Sequence, residues 1–141
     1  MERVISDASV IVKWFIEEEN SDKALKLRDK YINGEIIIAA PQLLPFEVLN
    51  ALKYSNLFNK KELEDAATSL SCYGIELYPL KNEFARKSVE IALENNITIY
   101  DSSYIALAII LNSKLYTADE KLIEKLDKKY KKFIIHIAEF K

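Results

Sequence analysis

From Tyr104 to Leu111 the chain carries no charge for a full helical length, and Ile105–Leu111 is an unbroken apolar run. A helix that is apolar all round has no face to give to water, so it must be buried and the remaining elements must wrap it. The run is too short to cross a bilayer, which makes it a core helix. Asp101 stands at its entrance. A carboxylate there is costly unless it caps the helix, meets a partner or binds a cation. The positive end of the helix dipole favours its ionised form.

The flanking pattern alternates strands with helices. Arg3–Asp7 reads as a short buried strand, followed by helical spacing of Val10, Ile11, Trp14 and Phe15 within Ala8–Glu18. Asn20-Ser21-Asp22 opens a helix that Asn33-Gly34 stops. Glu35–Ala40 is a strand buried on both faces. Pro41 and Pro45 bracket the start of a helix to about Ser55, since proline is tolerated only in a first turn. Asn59-Lys60-Lys61-Glu62 forms a capping box for a fourth helix, closed by Gly74. Ile75–Tyr78 is a strand and Asn82 to about Asn95 a helix, while Ile97–Tyr100 is ambiguous between a very short strand and a loop. Lys114–Thr117, a helix over Asp119–Tyr130 and a last strand, Lys132–Ile137, complete the pattern. Such alternation implies an α/β fold, a mostly parallel sheet with helices on both faces. At 141 residues, half of them apolar, the expectation is a single globular domain over residues 1–141.

Composition narrows the function. A formal net charge of −2 argues against a protein that coats nucleic acid, although bound divalent cations can supply positive charge where phosphate must sit. Two glycines leave no glycine-rich phosphate loop, and a single histidine, His136, excludes zinc enzymes built on several His or Cys ligands. The single cysteine, Cys72, and the lack of a signal-peptide layout lead to the expectation of a soluble, cytoplasmic protein without membrane contact.

Four carboxylates then call for explanation. In an open parallel sheet ligands gather beyond the carboxyl ends of the strands. Asp7 ends the first strand, Asp119 lies just past Leu115-Tyr116-Thr117, and Asp101 opens the buried helix. Each has a plain alternative as an N-cap. Glu47 has none, because it falls in mid-helix on the face shared with Leu43, Ala51 and Tyr54. Its alternatives are a buried ion pair or a raised pKa. Crowded carboxylates repel unless cations neutralise them, and oxygen-only ligation favours Mg2+ or Mn2+. Such ions polarise phosphodiesters and activate water, so the residues point to a metal-dependent phosphodiester hydrolase.

Ile5-Ser6-Asp7-Ala8-Ser9, Pro41 with Glu47-Val48-Leu49-Asn50-Ala51-Leu52, Tyr100-Asp101-Ser102-Ser103-Tyr104-Ile105-Ala106-Leu107-Ala108, and Tyr116-Thr117-Ala118-Asp119 resemble, in order and spacing, the blocks of the PIN-domain family. The resemblance covers essentially the whole chain, and its length is similar to the toxin ribonucleases of VapBC-type toxin–antitoxin pairs. It implies a three-layer α/β/α sandwich around five mainly parallel strands, with a loop before Asp101. It also implies an acidic quartet, Asp7, Glu47, Asp101 and Asp119, binding Mg2+ or Mn2+. Ser9 and Thr117 match the family's hydroxyl positions, bonding to carboxylates or water, or else capping helices. The implied activity is endoribonuclease cleavage of RNA, with a small antitoxin protein as partner and a homodimer as assembly. A housekeeping RNA-processing nuclease and a non-catalytic RNA-binding domain are the alternatives. A phosphotransfer domain of the receiver or haloacid-dehalogenase type needs a second Asp that Asp7-Ala8-Ser9 lacks.

Other features carry less. Lys121, Lys125, Lys128, Lys129, Lys131 and Lys132 read as a solvated face, with RNA contact as the alternative. Lys13 and Arg86 are candidates to touch phosphate. His136, Trp14 and Phe15 read as structural, and Cys72 as a small apolar residue of the fourth helix.

Overall fold

In the computed structural model, which describes residues 1–141, all five expected strands form and pair in parallel within one sheet. They are β1 (Glu2–Ser6), β2 (Ile36–Pro41), β3 (Glu76–Tyr78), β4 (Lys114–Thr117) and β5 (Ile134–His136), in spatial order β3-β2-β1-β4-β5. Eight helices flank the sheet in an α/β/α sandwich: α1 (Ala8–Ile11), α2 (Ser21–Ile32), α3 (Leu44–Tyr54), α4 (Lys60–Cys72), α5 (Asn82–Asn95), α6 (Ile99–Ile110), α7 (Glu120–Lys125) and α8 (Lys128–Lys131). The chain builds outward from β1 through β2 to β3, then returns to the other side of β1 as β4. Strand order therefore reverses between β1 and β4, and it is beyond the carboxyl ends of strands at such a reversal that open α/β sheets bind ligands.

The uncharged stretch forms the expected helix, but its burial stops short of the end: Ile109 is half-buried and Ile110, the last residue of α6, is exposed. Every residue of α6 from Ser102 to Ala108 is buried, and α6 packs across β1, β2 and β4 and along α5. The Ser102 hydroxyl donates to the Ser88 carbonyl at 2.7 Å, locking α6 to α5. Ile5, Ile38, Ile105, Leu107 and Leu115 are fully or almost fully buried in one continuous apolar cluster.

Several boundaries differ from expectation for local reasons. Ile97–Tyr100 is neither strand nor loop throughout. Thr98 is the N-cap of α6, its hydroxyl accepting from the Asp101 backbone N–H at 3.0 Å, and the helix begins at Ile99. The first helix is shorter than Ala8–Glu18: α1 tightens into a 3-10 turn at Val12–Trp14. Pro41 closes β2 rather than opening α3, leaving only Pro45 in the first turn of that helix. The helix expected over Asp119–Tyr130 breaks because Leu126 is extended and Asp127 caps α8, accepting from the Lys129 N–H. The capping box of α4 is present in both directions, between Asn59 and Glu62, and Gly74 follows that helix at φ +66°. No helix is long and apolar enough to cross a membrane.

Candidate functional site

Asp7 leaves β1 at the reversal point and is only 7% exposed. Its two oxygens are both engaged: the Ser9 hydroxyl donates to one at 2.5 Å and the Thr117 hydroxyl to the other at 2.5 Å. Those hydroxyls are themselves held, since Ser9 Oγ accepts from the Ala118 N–H at 2.8 Å and Thr117 Oγ1 from the Asp119 N–H at 3.0 Å. The turn after β1 and the turn after β4 are thereby stitched together through one carboxylate. Ser9 and Thr117 thus bond to a carboxylate rather than capping a helix.

Asp119 is the N-cap of α7, accepting from the Leu122 N–H at 3.0 Å through a single oxygen. The other oxygen is free of intrachain bonds. Asp101 is not the cap of α6, because Thr98 takes that place. Asp101 sits in the first turn, half-buried, and its carboxylate forms neither an ion pair nor a close hydrogen bond.

Glu47 differs from the sequence expectation in position. α3 starts at Leu44, so Glu47 lies in its first turn, and the buried face is Leu44, Val48 and Leu52; Ala51 and Tyr54 are exposed. Glu47 stands at the border of the buried stripe, where the Tyr104 hydroxyl donates to it at 2.6 Å. Tyr104 is a candidate site residue that sequence reasoning missed. The available signal was a tyrosine among aliphatic residues on a buried helix, since a buried tyrosine hydroxyl needs a partner.

The electrostatics join these pieces. Burial pushes the Asp7 carboxyl up, to about 6, with the Asp119 charge adding to it and the Ser9 and Thr117 hydrogen bonds opposing. Burial also raises Asp101, reinforced by Asp119, against the Thr98 hydroxyl and the charge of Lys125; desolvation therefore outweighs the favourable helix start. Glu47 is raised by burial and by the Asp101 charge, against the hydrogen bond from Tyr104. Tyr104, buried among Glu47, Asp7 and Asp101, is held far above its ordinary range. Asp7, Glu47 and Asp101 thus each feel another of the four carboxylates, and none of the four takes part in an ion pair.

Whether these residues suit a hard cation follows from the donor set. All donors are oxygen, and no three of the carboxylates converge into a ready-made ligand group. Mg2+ needs no such group, because it commonly binds through one or two carboxylates and keeps several waters. Carboxylates that repel one another in this way, none of them in an ion pair, suit a divalent cation.

The weaker sequence signals fall in different places. Lys13 is buried, donating to Glu18 at 3.1 Å and to the Glu19 carbonyl at 2.6 Å, so it anchors its own turn. Arg86 is exposed on α5. His136 is structural, its Nδ1 accepting from the Ala138 N–H at 3.0 Å. Trp14 is core, donating to the Ala24 carbonyl. Cys72 is exposed rather than packed. All six C-terminal lysines are exposed, and Lys129 pairs with Glu94 at 3.0 Å.

A five-stranded parallel sheet with acidic side chains beyond its β1/β4 reversal defines a three-layer α/β domain, and the comparisons agree on its family. Residues 4–129 match the family model described as PIN domain, and the chain belongs to that family. Its likeness within the family is to VapC-type members. It is 30% identical over 132 residues to ribonuclease VapC3 of Pyrobaculum aerophilum, covering 87% of this chain and 94% of that protein. It is 31% identical over 126 residues to ribonuclease VapC1 of Mycobacterium tuberculosis, covering 86% and 90%. The crystal structure of VapBC2 from Rickettsia felis, bound to a DNA fragment from its promoter, superposes with a TM-score of 0.64 at 14% identity over 95% of this chain and 98% of that one.

Proposed function

We propose that this protein is a Mg2+- or Mn2+-dependent endoribonuclease and the toxin of a VapBC-type pair. The observation that carries the reading is the set of carboxylates Asp7, Glu47 and Asp101 around Tyr104, with the Asp119 charge acting on Asp7 and Asp101 and none of the four in an ion pair. The relatives named ribonuclease VapC support the substrate class, and the VapBC2 structure supports a small antitoxin partner. A homodimer and a cytoplasmic location belong to the same proposal.

Asp7, Glu47, Asp101 and Asp119 would hold the cation. When bound, it neutralises their repulsion and the charge that accumulates on the phosphate. Ser9 and Thr117 fix both Asp7 oxygens, so that carboxylate is pre-positioned without rearrangement. Tyr104 holds Glu47 in one orientation. Asp101, half-buried and outside any ion pair, has the capacity to accept a proton from the attacking water.

Cleavage of a structured-RNA panel in Mg2+ or Mn2+ tests the activity. Wild type should cleave, while Asp7→Asn and Asp101→Asn should stay folded and lose activity. Equal cleavage by both variants would sink the assignment. Expression with and without the neighbouring small gene product tests the toxin role. No growth effect and no co-purifying protein would leave a housekeeping nuclease as the better reading.

A further inference from the structure

Beside Glu47 the surface opens into a hollow that Asp7, Asp101 and Asp119 do not line. It has a volume of about 520 Å3 and is lined by Leu43, Phe46, Glu47, Asn50 and Tyr100. Through Leu43 and Tyr100 it continues into a second hollow of about 200 Å3. Phe46 is 78% exposed and Tyr100 64%. Packing explains neither ring. The buried face of α3 is Leu44, Val48 and Leu52, whereas Phe46 and Asn50 lie one turn apart on its outward face. Grouped exposed apolar side chains beside polar ones mark a binding surface.

We propose that this hollow is a nucleobase subsite of the carboxylate centre, with the Phe46 and Tyr100 rings as stacking faces and the Asn50 amide reading the base edge. The inference rests on the nuclease reading above. Three observations choose the occupant. The lining holds no Lys or Arg, so the hollow is not built for phosphate. Glu47 belongs to both the lining and the centre, and Tyr100 directly precedes Asp101, so a strand with a phosphate at the carboxylates passes a neighbouring base here. Asn50 offers both a donor and an acceptor, which an apolar protein surface does not require and a base edge does. Unpaired RNA bases are recognised in this way, stacked on aromatic rings and hydrogen-bonded at their edges. Stacking is also uncharged, so it adds affinity where four carboxylates repel the backbone.

The test uses the full-length protein and two synthetic single-stranded RNA dodecamers, one intact and one abasic at the nucleotides flanking the cleaved bond. For wild type, the abasic substrate should raise KM roughly tenfold or more, the scale of losing one base–aromatic stack. Phe46→Leu combined with Tyr100→Leu should raise KM on the intact RNA similarly and show no further loss on the abasic one. Phe46→Trp, which keeps an aromatic face at that position, should keep the wild-type KM. Equal KM on the two substrates for wild type overturns the subsite without any variant being needed. Leucine variants that cleave normally but lose self-association or a co-purifying small protein also overturn it, in favour of a protein interface. Absence of cleavage by wild type sinks the nuclease reading and this inference together; the other adverse outcomes sink the inference alone.

Discussion

Replacing Asp7 by Asn should separate stability from activity. Asp7 is buried, and its folded pKa of about 6 lies some two units above the ordinary 3.8, which corresponds to about 3 kcal/mol. The native state therefore holds this proton more tightly than the unfolded chain does. The associated stability is fully present below about pH 3.8 and is lost as pH rises through about 6. Asn is neutral and nearly isosteric, but its amide must donate where a carboxylate oxygen accepted, at a cost of about 1 kcal/mol for one hydrogen bond. In EDTA at about pH 7.5 the variant should be more stable than wild type by about 1–3 kcal/mol, or roughly 3–10 °C in Tm. Near pH 4 the difference should disappear. With Mn2+ at a hundredfold excess over its Kd, wild type alone should gain about 2.7 kcal/mol, reversing or cancelling the order. Thermal and urea unfolding of both proteins, with and without metal, measure this. An Asp7→Asn protein less stable than wild type in EDTA at neutral pH would refute the reasoning.

Tyr104→Phe removes the hydroxyl that orients Glu47 and should cost about 1–2 kcal/mol of stability and roughly tenfold in kcat, read by urea unfolding and RNA cleavage. Thr98→Ala removes the cap of α6 and should cost about 1 kcal/mol, visible as a lower urea midpoint. Leu107→Ala opens a cavity in the centre of the core and should cost about 2–5 kcal/mol, with a corresponding fall in Tm.

What the sequence disclosed follows the physics of each signal. The α6 run, the alternation of strands and helices and the capping box at Asn59 are local patterns, and each appears in the structure. Boundaries failed where two local signals competed. Thr98 and Asp101 are both capping residues three apart, and only backbone geometry decides that Thr98 takes the cap. Pro41 suits a helix start as well as a strand end, and sheet pairing with Tyr78 settles it. The site was legible as residue types near strand ends. Its wiring was not, because Ser9, Thr117 and Asp7 meet only when β1 and β4 become neighbours, across more than a hundred residues. Tyr104 and Glu47 are similarly remote in sequence. The role of Lys13 is not legible either, because its anion, Glu18, lies on a turn where helical periodicity predicts a continuing helix.

If the four carboxylates form a cation site, the protein must bind a divalent ion before any RNA is present. Calorimetric titration of the purified, EDTA-stripped protein with Mn2+ should show stoichiometric, saturable binding. Asp7→Asn combined with Asp101→Asn should abolish it while far-UV circular dichroism stays unchanged. A wild-type protein that binds no Mn2+, or a double variant that binds it as well as wild type, would contradict the assignment of these residues.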